Sequence, residues 1–181
     1  DLRGNANASD IVWVTGFDAK SVVLRTYEAG QWHTWRLPKG SYTHDGAHGW
    51  HTEWPRIREI SPGERLMHMH GLFYDFPGTF SSTNFADLEP ICAYEKMPVD
   101  YCLWEGQLVM GKNDTSKFSN ALVPKAQSNL WFGTLADLKR WGAPHGHGSL
   151  WLNEAVAAGA VSEPFLVHGF SQGTLHVRHT T

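Results

Sequence analysis

Short runs of strand-forming residues, separated by turn-forming residues, recur along almost all of this 181-residue chain. β-branched and aromatic side chains favour strands, whereas Gly, Pro, Asn and Asp favour the turns between them. The first three runs cover residues 10–17, 21–27 and 31–37. Only Asp18-Ala19-Lys20 and a short stretch containing Ala29-Gly30 separate them. Because intervals this short join neighbouring antiparallel strands, they predict a meander.

The same arrangement repeats downstream, and Ser61-Pro62-Gly63 and Glu105-Gly106 supply two of the tight turns. The predicted strands are residues 55–60, 64–74, 90–96, 101–104, 107–111, 129–134, 165–170 and 174–179, with a further strand over 137–141. Each set of strands occupies roughly 40–60 residues, which is typical of a propeller blade. Helical periodicity is confined to residues 153–158, where Gly159 is expected to end a short helix.

We therefore predict an all-β protein: an antiparallel β-propeller segment of about three to four blade-like sheets, forming a single domain over residues 1–181. Closed propellers typically need 4–8 blades, so we expect the segment to be part of a larger propeller. The first residue is Asp1 rather than Met, which suggests a piece of a longer product. A β-sandwich or jelly roll is the alternative.

Composition excludes several classes of protein. A hydrophobic content of 41% allows a real core, and the net charge of −3 comes without a basic stripe, which argues against nucleic-acid binding. No apolar run reaches membrane-spanning length. The two cysteines, Cys92 and Cys102, are read either as small buried residues or as a disulfide pair, and the sequence leaves this open.

Eleven histidines and nine tryptophans concentrate the polar chemistry in a few segments. In the predicted strand 64–74, side chains alternate between faces, so His68, His70 and Tyr74 are expected on one face, opposite Met67. We expect the methionine side to lie in the core and the imidazoles to face solvent, a cleft or the propeller channel. His68 and His70 are therefore candidate bases, and Tyr74 is a candidate acid.

The preceding segment combines aromatic and charged residues and is a candidate substrate site. Arg56 and Arg58 share one strand face, and guanidinium groups recognise carboxylates in a two-pronged geometry. Glu53, Trp50 and Trp54 lie close by in sequence and complete the candidate substrate-binding set. An ion pair between Glu53 and Arg56, or stacking of Arg on Trp, is the structural alternative.

Two Gly-rich loops carry further histidines. His48 lies in the loop before the tryptophan-rich segment, and His145 and His147 alternate with glycines later in the chain. The sequence leaves open whether these three bind a divalent metal, and no cofactor is predicted with certainty. Trp131 is a further candidate contact to substrate, although packing between blades is the more ordinary interpretation of its surroundings.

Four segments carry a resemblance to a known family: Thr52-Glu53-Trp54-Pro55-Arg56-Ile57-Arg58-Glu59, Met69-His70-Gly71-Leu72-Phe73-Tyr74, Ser128-Asn129-Leu130-Trp131-Phe132-Gly133 and Pro164-Phe165-Leu166. They resemble large secreted β-propeller proteins of microbes that degrade plant polysaccharides. Over about two thirds of its length the chain is most similar to L-rhamnose-α-1,4-D-glucuronate lyases, which act on the rhamnose-capped glucuronate of arabinogalactan.

This resemblance implies a secreted or periplasmic polysaccharide lyase whose partners are a polysaccharide or oligosaccharide substrate and the remainder of the same propeller. Such a lyase must neutralise the uronate carboxylate, remove the C5 proton and protonate the departing oxygen. An Arg, a His and a Tyr match these three tasks.

Two alternatives to the lyase stay open. A glycoside hydrolase would use paired carboxyls, with Glu53, Asp75, Glu95 and Asp100 as candidates. A non-catalytic glycan-binding module would use aromatic side chains as a stacking platform, with Trp50, Trp54, Trp131 and Trp151 as candidates.

Overall fold

The computed structural model describes residues 2–3, 10–40, 56–93, 97–113 and 128–179. Within these ranges the protein is all-β, with three antiparallel sheets and one short helix, as the turn spacing predicts. The first sheet has the order β1 (Leu2–Arg3), β2 (Val12–Phe17), β3 (Val22–Glu28) and β4 (Gln31–Leu37). Its meander connectivity confirms the antiparallel arrangement expected from the short intervals.

The second sheet is also a four-stranded meander, with the order β5 (Arg56–Ser61), β6 (Glu64–Met69), β7 (Leu72–Pro77) and β8 (Glu89–Ala93). The prediction of one strand over residues 64–74 is wrong, because the chain reverses at His70-Gly71. These two residues have φ angles of 52° and 91°, the left-handed conformation that a two-residue hairpin turn requires. His-Gly is not one of the common turn pairs, so the alternating pattern concealed the reversal.

The third sheet has three strands, β9 (Met97–Trp104), β10 (Gln107–Asn113) and β11 (Ser128–Gly133), with β10 in the centre. The predicted turn at Glu105-Gly106 is confirmed, with φ angles of 48° and 75°. β9 and β11 form the two edges of this sheet, and β9 runs beside β5, the first strand of the second sheet.

The second sheet lies between the other two and is buried on both faces. One face contributes Met67, Met69, Leu72, Tyr74 and Phe76 to a core cluster shared with the first sheet. The inner face of the first sheet supplies Trp13, Val22, Leu24, Trp35 and Leu37 to the same cluster. The opposite face of the second sheet contributes Leu66, Phe73 and Cys92 to a second cluster shared with the third sheet. Strand alternation therefore produces a three-layer stack, because the two inner strands of the central sheet, β6 and β7, carry apolar side chains on both faces.

The helix α1 (Leu135–Leu138) follows β11, where a strand over 137–141 was expected. Thr134 caps it: its Oγ1 accepts from the Asp137 backbone N–H at 3.3 Å, and the Asp137 carboxylate accepts from the Thr134 N–H at 2.8 Å. This reciprocal pair is a capping box, and the sequence Thr-Leu-Ala-Asp contained the signal. Leu138 anchors the helix in the second core cluster.

Residues 142–170 pass along the outer edges of the first two sheets without forming a sheet of their own. Lys39 and His147 exchange two backbone hydrogen bonds, and Leu166 donates to the Arg36 carbonyl at 2.8 Å, so this segment covers the free edge beside β4. Arg36 also pairs with Asp18 and Glu163. Covering an edge strand in this way blocks unwanted pairing with other chains.

Three predicted elements in this last part of the chain are wrong: the helix over 153–158 and the strands over 165–170 and 174–179. Asn153 has a φ of 51°, which is incompatible with a helix start, and an isolated helix of six residues is unstable in water. Phe165 forms only an isolated bridge to Arg36. No helix in the described ranges is long and apolar enough to cross a membrane.

A matched pair of leucines tests the packing. Leu24 is 0% exposed between the first two sheets, whereas Leu175 is 75% exposed. We expect Leu24→Ala to lower the free energy of unfolding by about 2–5 kcal/mol through lost burial and a residual cavity. Leu175→Ala is expected to change it by less than about 0.5 kcal/mol. Urea titration followed by tryptophan fluorescence measures both, and equal effects would contradict the layer assignment.

Candidate functional site

The candidate site lies where the first strands of the second and third sheets meet. Arg56 and Arg58 are two residues apart on β5, so their side chains extend from the same strand face, as predicted. Both contact Asp100 of β9: Arg56 Nε is 3.4 Å from Asp100 Oδ2, and Arg58 Nε is 3.2 Å from Asp100 Oδ1. Two guanidinium groups thus converge on one half-exposed carboxylate.

The pKa of Asp100 is lowered despite an opposing desolvation effect. Partial burial acts to raise the pKa of this carboxyl, but the Tyr101 backbone N–H, which donates to Oδ1 at 2.9 Å, and the Arg58 and Arg56 guanidiniums together outweigh it. Hydrogen bonds and positive charges favour the ionised form of an acid. The site is therefore arranged to hold a carboxylate in its charged state.

Tyr101 anchors β9 to the second sheet. Its hydroxyl donates to the Leu66 carbonyl at 2.6 Å and lies 3.2 Å from the Arg56 carbonyl. Burial raises the pKa of the Tyr101 hydroxyl well above its usual value, so this group is a neutral hydrogen-bond donor. Because Tyr101 follows Asp100 directly, its anchoring also positions the Asp100 carboxylate against the two arginines.

The two candidate bases are inside the protein and not on an open face. His68 and His70 are both 0% exposed. The His68 ring lies 5.4 Å from the Tyr101 ring and 5.7 Å from the Phe73 ring, within the packing between the second and third sheets. His70 occupies the hairpin turn, and its ring lies 4.7 Å from Phe17. The prediction that these imidazoles face solvent or a cleft is wrong.

Tyr74 does not share a strand face with His68. The turn at His70-Gly71 pairs His68 with Phe73 and Met67 with Tyr74, which places Tyr74 on the methionine side. Tyr74 is 1% exposed, and its hydroxyl donates to the Pro38 carbonyl at 3.3 Å. The hairpin thus places Tyr74 and His68 on opposite faces of the sheet, and this part of the predicted constellation is wrong.

Other predicted site residues have ordinary surroundings or cannot be placed. Trp131 is half-buried against the second core cluster, with its ring 5.3 Å from that of Trp141. This supports the packing interpretation. Trp50, Glu53, Trp54 and His48 lie outside the described residues.

The remaining metal candidates are His145 and His147. His147 pairs with Lys39 through its backbone, and exposed His145 has its Nδ1 3.3 Å from the Ala143 carbonyl. Among residues that the structure describes, no group of three or more His, Cys, Asp or Glu side chains is placed to hold a metal ion. Cys92 is buried and Cys102 is exposed, and no disulfide joins them, so the disulfide alternative is wrong.

Sequence reasoning found the two arginines but missed how they are paired. The sequence points to Asp100 only as a hydrolase carboxyl and to Tyr101 only as the start of a strand. The available signal was positional: Arg56 and Arg58 open the second set of strands, while Asp100 and Tyr101 belong to the strand that opens the third. Equivalent strands of stacked sheets lie side by side, which brings these residues together.

Comparisons with known proteins add no relative. A scan against models of protein families, a search of curated proteins and a search of solved structures each find no significant match to this chain.

Replacing Asp100 by Asn tests the electrostatics of the contact between Asp100 and the two arginines. A folded-state pKa below the unfolded value contributes stability that is present at neutral pH and is lost as the pH falls through the folded-state pKa. We expect the wild type to be more stable than Asp100→Asn at pH 7 and this difference to shrink steadily between about pH 5 and pH 3. Thermal melts across this range measure it, and a pH-independent difference would contradict the assignment.

Proposed function

We propose that this chain contributes blades to a propeller lyase that cleaves a uronate-containing plant glycan, at a rhamnose–glucuronate linkage, by β-elimination. The observation that carries the proposal is that Arg56 and Arg58 of β5 converge on the same carboxylate, that of Asp100 on the neighbouring strand β9. An arginine pair that binds one carboxylate in this geometry is suited to bind the carboxylate of a uronate.

The arrangement of the sheets supports the propeller part of this proposal. Three meander sheets follow one another in sequence and pack face to face, as neighbouring propeller blades do. The first strands of the second and third sheets, β5 and β9, run close together, as the innermost strands of adjacent blades do around a central axis. In such a propeller Arg56, Arg58 and Asp100 lie beside the axis, where substrate has access.

The chemistry assigned to this chain is carboxylate binding. Guanidinium groups that neutralise the uronate carboxylate stabilise the negative charge that develops when the C5 proton leaves. His68, His70 and Tyr74 are 0–1% exposed, so we do not assign them to proton transfer. Propeller sites draw on several blades, and the base and the acid are expected from groups that approach the axis.

Replacing each arginine by lysine tests the assignment. Lysine keeps the charge but loses the two-pronged geometry, so we expect Arg56→Lys and Arg58→Lys each to lower kcat/KM by about 10- to 100-fold on a glucuronate-capped arabinogalactan oligosaccharide. The rise in ultraviolet absorbance from the unsaturated uronate measures the rate.

Arg140→Lys is the matched control, because Arg140 is 77% exposed and its guanidinium pairs with Asp137 in its own helical region. It is expected to have wild-type activity. Absence of any absorbance rise with the wild type, or equal rates in all three variants, would contradict the lyase proposal.

A non-catalytic glycan-binding function is the second candidate, and the burial of the expected proton-transfer residues favours it. Isothermal titration with the same oligosaccharide separates the two functions. Binding without an unsaturated product or a new reducing end selects this alternative. Release of a reducing end without a double bond selects a hydrolase instead. Among the described carboxyls, Asp75 is the candidate acid for such a hydrolase. Burial and the nearby Glu64 and Glu89 raise its pKa, as an acid catalyst requires.

A further inference from the structure

The first sheet has an outer face that carries exposed aromatic side chains. The strand register places Val12, Tyr27 and Trp32 in one row across β2, β3 and β4, and Val14 and Arg25 in the next row. Tyr27 is 40% exposed and Trp32 is 49% exposed, with ring centroids 5.1 Å apart. Arg25 lies over the Trp32 ring at 4.9 Å. We call these five residues the first-sheet outer face.

The third sheet has a matching open face on the other side of the stack. The register places Cys102, Val109 and Phe132 in one row, with Trp104 and Leu130 on the same side of the sheet. Trp104, Phe132 and Leu130 are 54%, 47% and 62% exposed. We call these five residues the third-sheet outer face. An exposed group of large apolar side chains on one sheet surface marks an interaction site.

The central sheet shows which faces belong together. It packs one face on the first sheet and the opposite face on the third, so the stack grows in one direction by placing equivalent faces in the same orientation. Continuing this order, the surface that follows the third-sheet outer face is one equivalent to the first-sheet outer face. Face-to-face packing of two identical faces would break the order.

We propose that a second copy of this chain covers both faces: the third-sheet outer face of each copy docks on the first-sheet outer face of the other. Two copies then close a ring of six sheets, which lies within the 4–8 blades of known propellers. This inference rests on the propeller part of the proposed function. It does not depend on the lyase chemistry.

The charges beside the two faces are complementary. The first-sheet outer face carries the cation Arg25, whereas the described side chains of the third-sheet outer face are uncharged and the exposed acid Glu105 follows Trp104 in the adjoining turn. An exposed cation on one face and an exposed acid beside the other favour the head-to-tail pairing over pairing of either face with itself.

Sedimentation equilibrium of the 181-residue chain tests the proposal directly. We expect twice the chain mass of 20.3 kDa at micromolar concentration, with no growth to larger species as the concentration rises. A monomer at every concentration would overturn the proposal. A mass that increases continuously with concentration would also overturn it, because head-to-tail contacts that do not close produce open filaments.

Two single variants and their mixture test which faces meet. Trp32→Glu and Phe132→Glu each place a charge on one outer face, and each is expected to weaken dimerisation by about 100-fold or more because a charge without a partner is costly inside an apolar interface. Both positions are exposed in the monomer, so circular dichroism should show an unchanged fold. Val177→Glu, at a 79% exposed position outside both faces, is the control and should dimerise as the wild type does.

Mixing the two single variants is expected to restore part of the dimer population, with a lower affinity than the wild type because both new glutamates meet at the other interface. A mixed dimer retains one intact interface, formed by the unaltered third-sheet face of Trp32→Glu and the unaltered first-sheet face of Phe132→Glu. Native mass spectrometry distinguishes this mixed species. If one variant alone still dimerises, or if the mixture stays monomeric, the head-to-tail proposal is wrong.

Failure of this inference and failure of the lyase proposal give different results. A monomer that produces unsaturated uronate removes the second copy and leaves the activity. A dimer without product, whose Arg56→Lys variant keeps the same mass, removes the lyase and leaves the docking.

Discussion

The burial of the second sheet on both faces is the constraint on which the rest of the structure depends. Because side chains alternate along a strand, a sheet covered on both sides requires apolar residues at nearly every position, and β6 provides Leu66, Met67 and Met69 in such a run. A polar residue inside this run has no route to solvent. His68 is therefore enclosed with Phe73 and Tyr101, although its sequence neighbourhood resembles a polar site.

Beside this apolar packing lies a polar contact between β5 and β9, formed by Arg56, Arg58 and Asp100. The Tyr101 hydroxyl enters the layer between the sheets and satisfies the Leu66 carbonyl, which fixes β9 relative to β6. Asp100, the preceding residue, is then held at the surface, where Arg56 and Arg58 meet it. A buried anchor beside an exposed charged group is how a fold places a binding group accurately, because the anchor removes the freedom of the backbone.

The sequence predicted the fold class and most strands, because turn residues and alternating side chains are local signals. The strand over 31–37 has the predicted bounds, and β2, β3, β5 and β10 differ by a few residues. The errors arise where the local signal was ambiguous or where packing decided the outcome. At His70-Gly71 a turn interrupts an alternating pattern, and the single missed reversal changes which of His68 and Tyr74 faces which layer. The arginines and Asp100 are more than forty positions apart in sequence, and they meet because two sheets stack. A local sequence pattern cannot predict such a contact.

The stack has two kinds of surface that could pair with another chain: the edge at β4, which is covered, and the outer faces of the first and third sheets, which are exposed. The edge at β4 is covered by residues 142–170 through backbone hydrogen bonds and through the pair of Arg36 with Glu163. The outer faces of the first and third sheets are left with exposed Trp and Phe side chains. Main-chain hydrogen bonds along an edge would accept any strand, so covering this edge prevents indiscriminate pairing. A face, in contrast, selects its partner through shape and side-chain chemistry. In the proposed propeller, growth of the stack by faces keeps β5 and β9 on the inner side, so that Arg56, Arg58 and Asp100 stay open toward the proposed axis.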